Sequence, residues 1–214
     1  MRLQIVLMLK VPVMGRVKTR LAREAGPTEA VRAYRAMVAA LLRRLTLDRR
    51  WQLTLAIAPA ADLRTTTFPA KLRCLGQTRG DLGARMQAVF DTMRAKGPTI
   101  IIGSDIPGIS GEALAQAARL LGGHDAVLGP ASDGGYWLVG LRGLKRRAPF
   151  GQVRWSGPHA LADTLAGLKD ARVALTGTLD DVDTLQDWQH WQRQPPSLRL
   201  QGGRGHPADR ILGD

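Results

Sequence analysis

The chain has 214 residues, of which 44% are hydrophobic, and this is enough for one domain with a sizeable core. Its single cysteine excludes an internal disulfide framework and a multi-cysteine zinc site. Because no segment has the roughly 18 apolar residues of a membrane span and the N-terminus lacks the apolar length of a signal peptide, we expect a cytoplasmic protein.

The net charge of +13 is concentrated at the start of the chain, where residues 1–50 hold twelve lysines and arginines against three acidic residues. Such a surplus favours anionic ligands and could indicate nucleic acid. Only 5% of the residues are aromatic, however, and no nucleic-acid-binding motif is present. We therefore expect nucleic acid to be an unlikely partner, and the sequence leaves the oligomeric state open.

Apolar runs with strand-like and helix-like periods alternate along the chain, which is typical of a mainly parallel sheet with helices on both faces. This pattern predicts an α/β protein with three αβα layers in a single domain at 1–193. The Pro/Gly/Arg-rich end at 194–214 is expected to be a flexible or loosely docked tail. The predicted strands are 3–9, 53–58, 72–75, 99–102, 126–128, 136–141 and 173–175, and the predicted helices are 28–45 (with Thr28 as its cap), 81–93, 112–121 (ended by two glycines), 158–168 and 184–191.

The segment 10–20, hereafter the cationic loop, follows the first predicted strand and carries Lys10, Arg16, Lys18 and Arg20 around Gly15. An open α/β sheet binds ligands where its strands end, and the start of the next helix also attracts anions. The loop therefore predicts a phosphate-binding site. A basic loop without function in a basic protein is the alternative.

Two acidic segments also follow predicted strands. Gly-Ser-Asp-Ile-Pro at 103–107 contains Ser104 and Asp105, and Asp-Asp-Val-Asp at 180–183 ends at Asp183. Carboxylates at strand ends are well placed to hold Mg²⁺, which takes one or two of them together with substrate phosphates. Alternatively, Asp105 completes a local turn and Asp183 caps the following helix together with Thr184.

Residues 77–86 contain a Gly-x-x-Gly turn that opens a predicted helix and is expected to face a nucleotide. A plain helix N-terminus capped by Asp81 is the alternative, and the two are compatible. The turn supplies Gly80, Asp81, Gly83 and Arg85.

The segment 129–137 contains Asp133-Gly-Gly, which permits close backbone approach to a ligand and is expected to orient an acceptor. An ordinary hairpin turn is the alternative. Trp155 and Ser156 are expected to edge the acceptor pocket, although Trp155 is equally compatible with the core.

Five motifs occur in order along the chain: Lys-x-Pro-x-x-Gly-x-Val-Lys-Thr-Arg-Leu-Ala, Gly-Asp-Leu-Gly-x-Arg-Met, Gly-Ser-Asp-x-Pro, Gly-Pro-Ala-x-Asp-Gly-Gly-Tyr and Asp-Val-Asp-Thr. Together they resemble the bacterial glycosyltransferase-A-like family related to 2-phospholactate guanylyltransferase and the molybdenum-cofactor nucleotidyltransferases. The resemblance spans about residues 5–190. It implies a nucleotide-diphospho-sugar transferase (GT-A-like, Rossmann-like) fold, a nucleotide over the strand ends, and Mg²⁺ or Mn²⁺ at Asp105 and Asp183.

The resulting hypothesis is a metal-dependent transferase with a nucleotide donor, which moves a nucleotidyl group from a nucleoside triphosphate to a small anionic or phosphorylated acceptor. The alternatives are sugar transfer from a nucleotide sugar, and a non-catalytic anion- or nucleic-acid-binding protein. The residues assigned to catalysis are Lys18, Arg20, Asp105 and Asp133; to nucleotide binding Lys10, Gly15, Lys18, Arg20, Gly80, Asp81, Gly83, Arg85 and Ser104; to the acceptor Asp133, Gly134, Gly135, Trp155 and Ser156; and to the metal Asp105 and Asp183.

Overall fold

The computed structural model describes residues 2–64, 72–142 and 149–194. The expected tail from residue 195 onward lies outside them. Within these ranges no helix is both long and apolar enough to cross a membrane.

The described residues form a seven-stranded, mostly parallel sheet. Its central strands are almost continuously apolar because both faces of the sheet are covered by helices. The sixth strand runs antiparallel to both of its neighbours, and all other pairs are parallel. The strands are β1 (Leu3–Lys10), β2 (Trp51–Ala58), β3 (Arg73–Gly76), β4 (Thr99–Gly103), β5 (Ala126–Pro130), β6 (Tyr136–Leu141) and β7 (Val173–Leu175), in the order β3-β2-β1-β4-β6-β5-β7.

Helices cover both faces, so the predicted three-layer arrangement is confirmed. Alternate side chains of β1 point to opposite faces: Ile5 and Leu7 join one apolar cluster, and Val6 joins the other. The first cluster holds the buried faces of the longest helix and of the C-terminal helix, and the second holds those of the helices after β3 and β6. The helices are α1 (Thr19–Ala25), α2 (Pro27–Leu47), α3 (Leu82–Met93), α4 (Gly111–Gly123), α5 (Ala160–Gly167) and α6 (Leu185–Arg193), with short 3₁₀ turns at Ala60–Arg64 and Arg94–Lys96.

Two predicted helix ends are wrong. Thr28 does not cap α2, because Pro27 already occupies the first helical turn and Gly26 is the cap residue, with φ +86°. Proline suits that position since its missing N–H has no intrahelical acceptor there. At the other end, α4 continues through Gly122 and Gly123 and stops at His124, which has extended backbone angles.

The strand order reverses between β1 and β4, since β2 and β3 lie on one side of β1 and the later strands lie on the other. Loops that leave such a reversal point diverge and open a crevice at the carboxyl ends of the strands. The cationic loop leaves β1 at this edge, and residues 104–107 leave β4 beside it. Because β6 is antiparallel, its first residue, Tyr136, also lies at this edge.

Candidate active site

A cavity of about 690 Å³ opens at this edge of the sheet. It collects side chains from the cationic loop, from the end of β4, from the turn that opens α3, and from three segments late in the chain. The predicted site residues that line it are Lys10, Lys18, Arg20, Arg85, Ser104, Asp105, Asp133, Ser156 and Asp183.

Three carboxylates meet next to the cavity, and those of Asp105 and Asp183 line it. Oxygens of Asp105, Asp181 and Asp183, hereafter the acidic triad, all lie within 4.8 Å of one another. The segment from 177 to 183 is irregular, and its Val182 is buried while the aspartates on either side of Val182 belong to the triad. The Val182 N–H donates to the Asp105 carbonyl at 3.0 Å, which fastens this segment to the end of β4.

Lys18 supplies the positive charge between these acids. Its ammonium lies 2.7 Å from Asp183 Oδ1 and 3.1 Å from Asp105 Oδ2, and its side chain is only 4% exposed. Burial alone lowers the pKa of Lys18, but the carboxylates of Asp105 and Asp183 outweigh burial and hold that pKa above its usual value. Arg20 also reaches Asp183, at 3.3 Å, but its side chain is 72% exposed and the pair is therefore a weak one.

The backbone of Lys18 is itself unusual, with φ 45° and ψ 51° in the left-handed region. A non-glycine residue there costs on the order of 1–3 kcal/mol and is common at functional sites. Lys18 also precedes α1 directly, so the strained residue joins the cationic loop to this helix. The ion pairs with Asp105 and Asp183 offset this strain.

Asp181 is the member of the triad that the sequence interpretation did not assign to the metal. Burial, followed by the charges of Asp183 and Asp105, raises the pKa of Asp181 to about 6. A carboxylate whose pKa is raised by neighbouring carboxylates is stabilised by a cation that they share. Three carboxylate oxygens are hard ligands, and this donor set fits Mg²⁺ or Mn²⁺. The signal in the sequence was the spacing of Asp181 and Asp183 around an apolar residue.

The sequence left open that Asp183 caps the following helix, but its neighbour Thr184 is the residue that does so. Thr184 is the N-cap of α6, and its hydroxyl accepts from the Asp187 N–H while Asp187 accepts in return from the Thr184 N–H. The capping box is thus complete without the side chain of Asp183, which remains available to the cavity.

Tyr34 also lines the cavity, and the sequence analysis placed it within the predicted helix 28–45 without assigning it to the site. Its hydroxyl accepts from the Lys10 N–H at 3.0 Å and lies 2.8 Å from Ser104 Oγ. Burial raises the pKa of Tyr34 to about 12, so the phenol stays neutral. This bond network ties the end of β1 to the end of β4. No periodicity argument distinguishes such a residue from an ordinary core tyrosine.

A second hollow, of about 960 Å³, adjoins the cavity and shares Lys10 and Arg85 with it. Gly80 and Gln77 also line this hollow. Gln77 is buried, donates to the Ala56 carbonyl at 2.7 Å and accepts from Arg85 at 3.2 Å. The Arg85 side chain is therefore positioned between the two spaces.

The expected acceptor segment forms a hairpin between β5 and β6, so the hairpin alternative is confirmed. Asp133 Oδ1 accepts from the Gly135 N–H at 2.8 Å, and the carboxylate still lines the cavity. Ser156 lies at the cavity in the left-handed region, with φ 65°. Trp155 instead packs in the half-buried layer behind it, with its ring 6.4 Å from Tyr136 and 6.3 Å from Phe150.

The remaining predicted residues lie outside the lining of the cavity. Asp81 caps α3 by accepting from the Ala84 N–H at 2.8 Å, as the structural alternative predicted. Gly83 is buried, and a Cβ there would lie 2.9 Å from Phe150 and Trp155, so its small size serves packing. Their roles in nucleotide or acceptor binding stay predictions, as do those of Gly15, Gly134 and Gly135.

Comparison with protein families gives a match over residues 41–157 to the family described as "Uncharacterized protein conserved in bacteria (DUF2064)". No curated protein matches the chain.

Several solved structures share the fold. A protein from Desulfovibrio desulfuricans G20, assigned as a nucleotide-diphospho-sugar transferase, has 27% sequence identity and a TM-score of 0.85, with coverage of 94% of this chain and 92% of that one. The 4-diphosphocytidyl-2C-methyl-D-erythritol synthase of Anaerococcus prevotii DSM 20548 is 9% identical, with a TM-score of 0.58 and coverage of 90% and 96%. Rv0371c of Mycobacterium tuberculosis H37Rv, solved with manganese, is 16% identical, with a TM-score of 0.55 and coverage of 89% and 97%. The predicted nucleotide-diphospho-sugar transferase fold is confirmed.

Proposed function

Since the chain belongs to the bacterial DUF2064 family and has the fold of nucleotide-diphospho-sugar transferases, we propose that it is a metal-dependent transferase that moves a nucleotidyl group from a nucleoside triphosphate to a small acceptor. The observation that carries this proposal is one cavity in which Asp105 and Asp183 meet the cations of the cationic loop, with Asp181 beside them. A nucleoside triphosphate with its metal needs both: oxygen ligands for the cation and fixed positive charge for the phosphates.

Different residues of the chain would bind the cation and the phosphates. Asp105 and Asp183, together with Asp181, would hold the divalent cation, and a cation bound there neutralises charge on the phosphates. Lys10, Lys18 and Arg85 add fixed positive charge around the triphosphate, which stabilises the charge that develops as pyrophosphate leaves. In such a transfer positioning and electrostatics account for most of the rate acceleration.

Magnesium and manganese are both candidates. The donor set of three carboxylates suits either ion, and the manganese bound by the Mycobacterium tuberculosis neighbour is the reason to test both.

Transfer of a sugar from a nucleotide sugar is the second candidate, and the assignment of the Desulfovibrio relative as a nucleotide-diphospho-sugar transferase favours it. The two reactions differ in the product that leaves. Nucleotidyl transfer releases pyrophosphate from the triphosphate, whereas sugar transfer releases a nucleoside diphosphate.

The test is to incubate the protein with each nucleoside triphosphate and with nucleotide sugars, with Mg²⁺ or Mn²⁺ and a panel of small acceptors, and to measure both products. We expect metal-dependent release of pyrophosphate, and we expect Asp105→Asn to reduce its rate on the order of 10²-fold or more. Asp170→Asn is the matched control, because Asp170 precedes β7 at the opposite edge of the sheet.

Release of nucleoside diphosphate alone would favour sugar transfer. Unchanged metal-dependent nucleotide binding by Asp105→Asn would contradict the metal assignment.

A further inference from the structure

The cavity has two halves of different charge. Among the described residues that line it, every lysine and arginine comes from the end of β1, from the cationic loop and α1, or from α3. The lining residues that follow β5 within 126–142 and 149–194 carry two carboxylates, a phenol and a hydroxyl, and none of them is a cation. The cationic half suits the triphosphate, and the other half, hereafter the acceptor wall, consists of Asp133, Tyr136, Ser156 and Asp183.

The hairpin part of the acceptor wall is held in place by backbone contacts. The Ala131 N–H donates to the Gly135 carbonyl at 3.0 Å, and the Leu161 N–H donates to the Gly134 carbonyl at 3.0 Å. Gly134 has φ +83°, and a Cβ there would lie 2.3 Å from the Pro158 carbonyl oxygen. The hairpin tip is therefore locked against residues 158–161, which fixes the position of Asp133.

Two polar groups of the wall, the Asp133 carboxylate and the Ser156 hydroxyl, are available to a ligand. One oxygen of Asp133 is engaged by the Gly135 N–H, and no other protein partner of this carboxylate is found in the described part of the chain. The Tyr136 hydroxyl is 3.3 Å from the buried Thr164 Oγ1, so the tyrosine presents its ring rather than its hydroxyl. Ser156 holds a strained left-handed conformation at the cavity, which is a feature of ligand-binding positions.

Arg154, two residues before Ser156, is the cation nearest to the acceptor wall along this segment, and it is paired with Asp163. Arg154 binds Asp163 through two hydrogen bonds of 2.9 and 3.0 Å, and its backbone N–H donates to the same carboxylate. A bidentate pair of this kind fixes the guanidinium in place. Arg20, on the opposite side, is directed to Asp183. The Arg154 guanidinium is therefore held by Asp163, and Arg20 belongs to the cationic half of the cavity.

We propose that the acceptor is an uncharged compound that presents hydroxyl groups, of the sugar or polyol class, and that Asp133, Tyr136 and Ser156 bind it. A carboxylate accepts hydrogen bonds from hydroxyls, a serine hydroxyl both donates and accepts, and an aromatic ring packs against the C–H face of a sugar. A phosphate or carboxylate on the acceptor would face the Asp133 carboxylate, and like charges repel. The basic composition of the chain favoured an anionic acceptor, but its cations line the donor half.

This inference rests on the proposed nucleotidyl transfer and assigns its second substrate. The oxygen of one acceptor hydroxyl forms a bond to the α-phosphorus, the bond from that phosphorus to the leaving pyrophosphate breaks, and pyrophosphate departs with the electron pair. The proton of the hydroxyl passes to the Asp133 carboxylate, which later returns it to water. No oxidant, reductant or further co-reactant is needed.

The first experiment compares acceptors in pairs that differ by one phosphate: glucose with glucose 6-phosphate, mannose with mannose 6-phosphate, and glycerol with glycerol 3-phosphate. With a nucleoside triphosphate and Mg²⁺, we expect at least one neutral member to support pyrophosphate release with kcat/KM at least tenfold above that of its phosphorylated partner. Equal or higher kcat/KM with the phosphorylated members overturns the proposal. So does the lack of turnover with every neutral member while the triphosphate binds.

The second experiment uses Asp133→Asn, whose amide oxygen still accepts from the Gly135 N–H and so keeps the turn. We expect kcat/KM for the neutral acceptor to fall on the order of 10²-fold, while the Kd of the nucleoside triphosphate stays within twofold of the wild-type value. Asp170→Asn is again the control. Unchanged kcat/KM in Asp133→Asn contradicts the role of Asp133. A wild-type protein that binds no nucleoside triphosphate contradicts the proposed function itself, which separates the two failures.

Discussion

At the scale of single residues, the position of Lys18 is the most informative observation. Its buried ammonium contacts two members of the acidic triad at 2.7 and 3.1 Å, at the place where the divalent cation would bind. Two cations next to each other repel, so the ammonium and the metal compete for the same carboxylates. The triphosphate offers Lys18 another partner, and nucleotide and metal are therefore expected to bind cooperatively.

Lys18→Met tests this competition. Because the carboxylates lose their internal counter-ion, we expect Mn²⁺ to bind the variant more tightly in the absence of nucleotide, by about tenfold in Kd or about 1.4 kcal/mol. The nucleoside triphosphate is expected to bind more weakly, since one of its cations is lost. Electron paramagnetic resonance of free Mn²⁺ during a titration measures the first effect, and calorimetry measures the second.

Lys10→Met is the matched control, because Lys10 lines the same cavity but no contact between it and the acidic triad is found among the described residues. It removes the same charge, and we expect a smaller change in Mn²⁺ affinity. Weaker or unchanged Mn²⁺ binding by Lys18→Met would show that Lys18 supports the metal site rather than competing for it.

At the scale of elements, the hairpin between β5 and β6 connects stability to the site. Its tip is fixed to residues 158–161, and Asp180 binds it from the other side by accepting from the Ser132 N–H at 3.1 Å. The hairpin thus fixes the position of Asp133 relative to the segment 177–183, which carries Asp181 and Asp183.

Two glycine-to-alanine substitutions are expected to have effects of opposite sign on the free energy of unfolding. Gly134→Ala places a Cβ at φ +83° against Pro158, and we expect a loss of at least about 1–2 kcal/mol. Gly122→Ala lies within α4, where no atom is found within 4 Å of the added Cβ, and we expect a gain of about 0.5–1 kcal/mol. Urea denaturation measures both values. Stabilisation by Gly134→Ala would contradict the proposed locking of the tip.

The elements also show where local sequence patterns are sufficient to predict secondary structure. The strands β1 and β4 are apolar runs that end at Lys10 and at Gly103, and the sequence located them within one residue of their ends. The start of α2 was wrong because proline and glycine before Thr28 determine the backbone there. The short helix α1 was expected only as a helix start, since its seven residues have just one buried side chain. Packing rather than periodicity defines an element of that length.

At the scale of the whole molecule, only part of the surplus positive charge faces the cavity. The cations that face the cavity are a small share of the 31 lysines and arginines, and the acidic residues of the site come from the middle and the later part of the chain. Net charge therefore indicates an anionic ligand, but it does not locate the site or assign charge to each substrate.

Binding of donor and metal should raise the stability of the whole fold, since both contact segments that are far apart in the sequence. At concentrations about 100 times Kd, a ligand that binds only the folded state adds roughly 2.7 kcal/mol, which corresponds to a rise in Tm of roughly 5–10 °C for a chain of this size. We expect this rise only with nucleoside triphosphate and metal together. Thermal-shift measurements with and without a chelator check it. The same rise after chelation would contradict a metal-dependent site.

The α/β class, most strand positions, the cationic loop and the acidic motifs could be predicted from the amino-acid order, because they depend on period, composition and short spacings. The resemblance of five ordered motifs also indicated the fold. Three contacts could not be predicted in this way: the pairing of Lys18 with Asp105 and Asp183, the approach of Asp181 to them, and the connection of β1 to β4 through Tyr34. These residues are up to 165 positions apart, and their contacts are made by the order of the strands in the sheet. The division of the cavity into a cationic half and a half that carries Asp133 and Asp183 has the same origin, because the two halves come from opposite sides of the point where the strand order reverses.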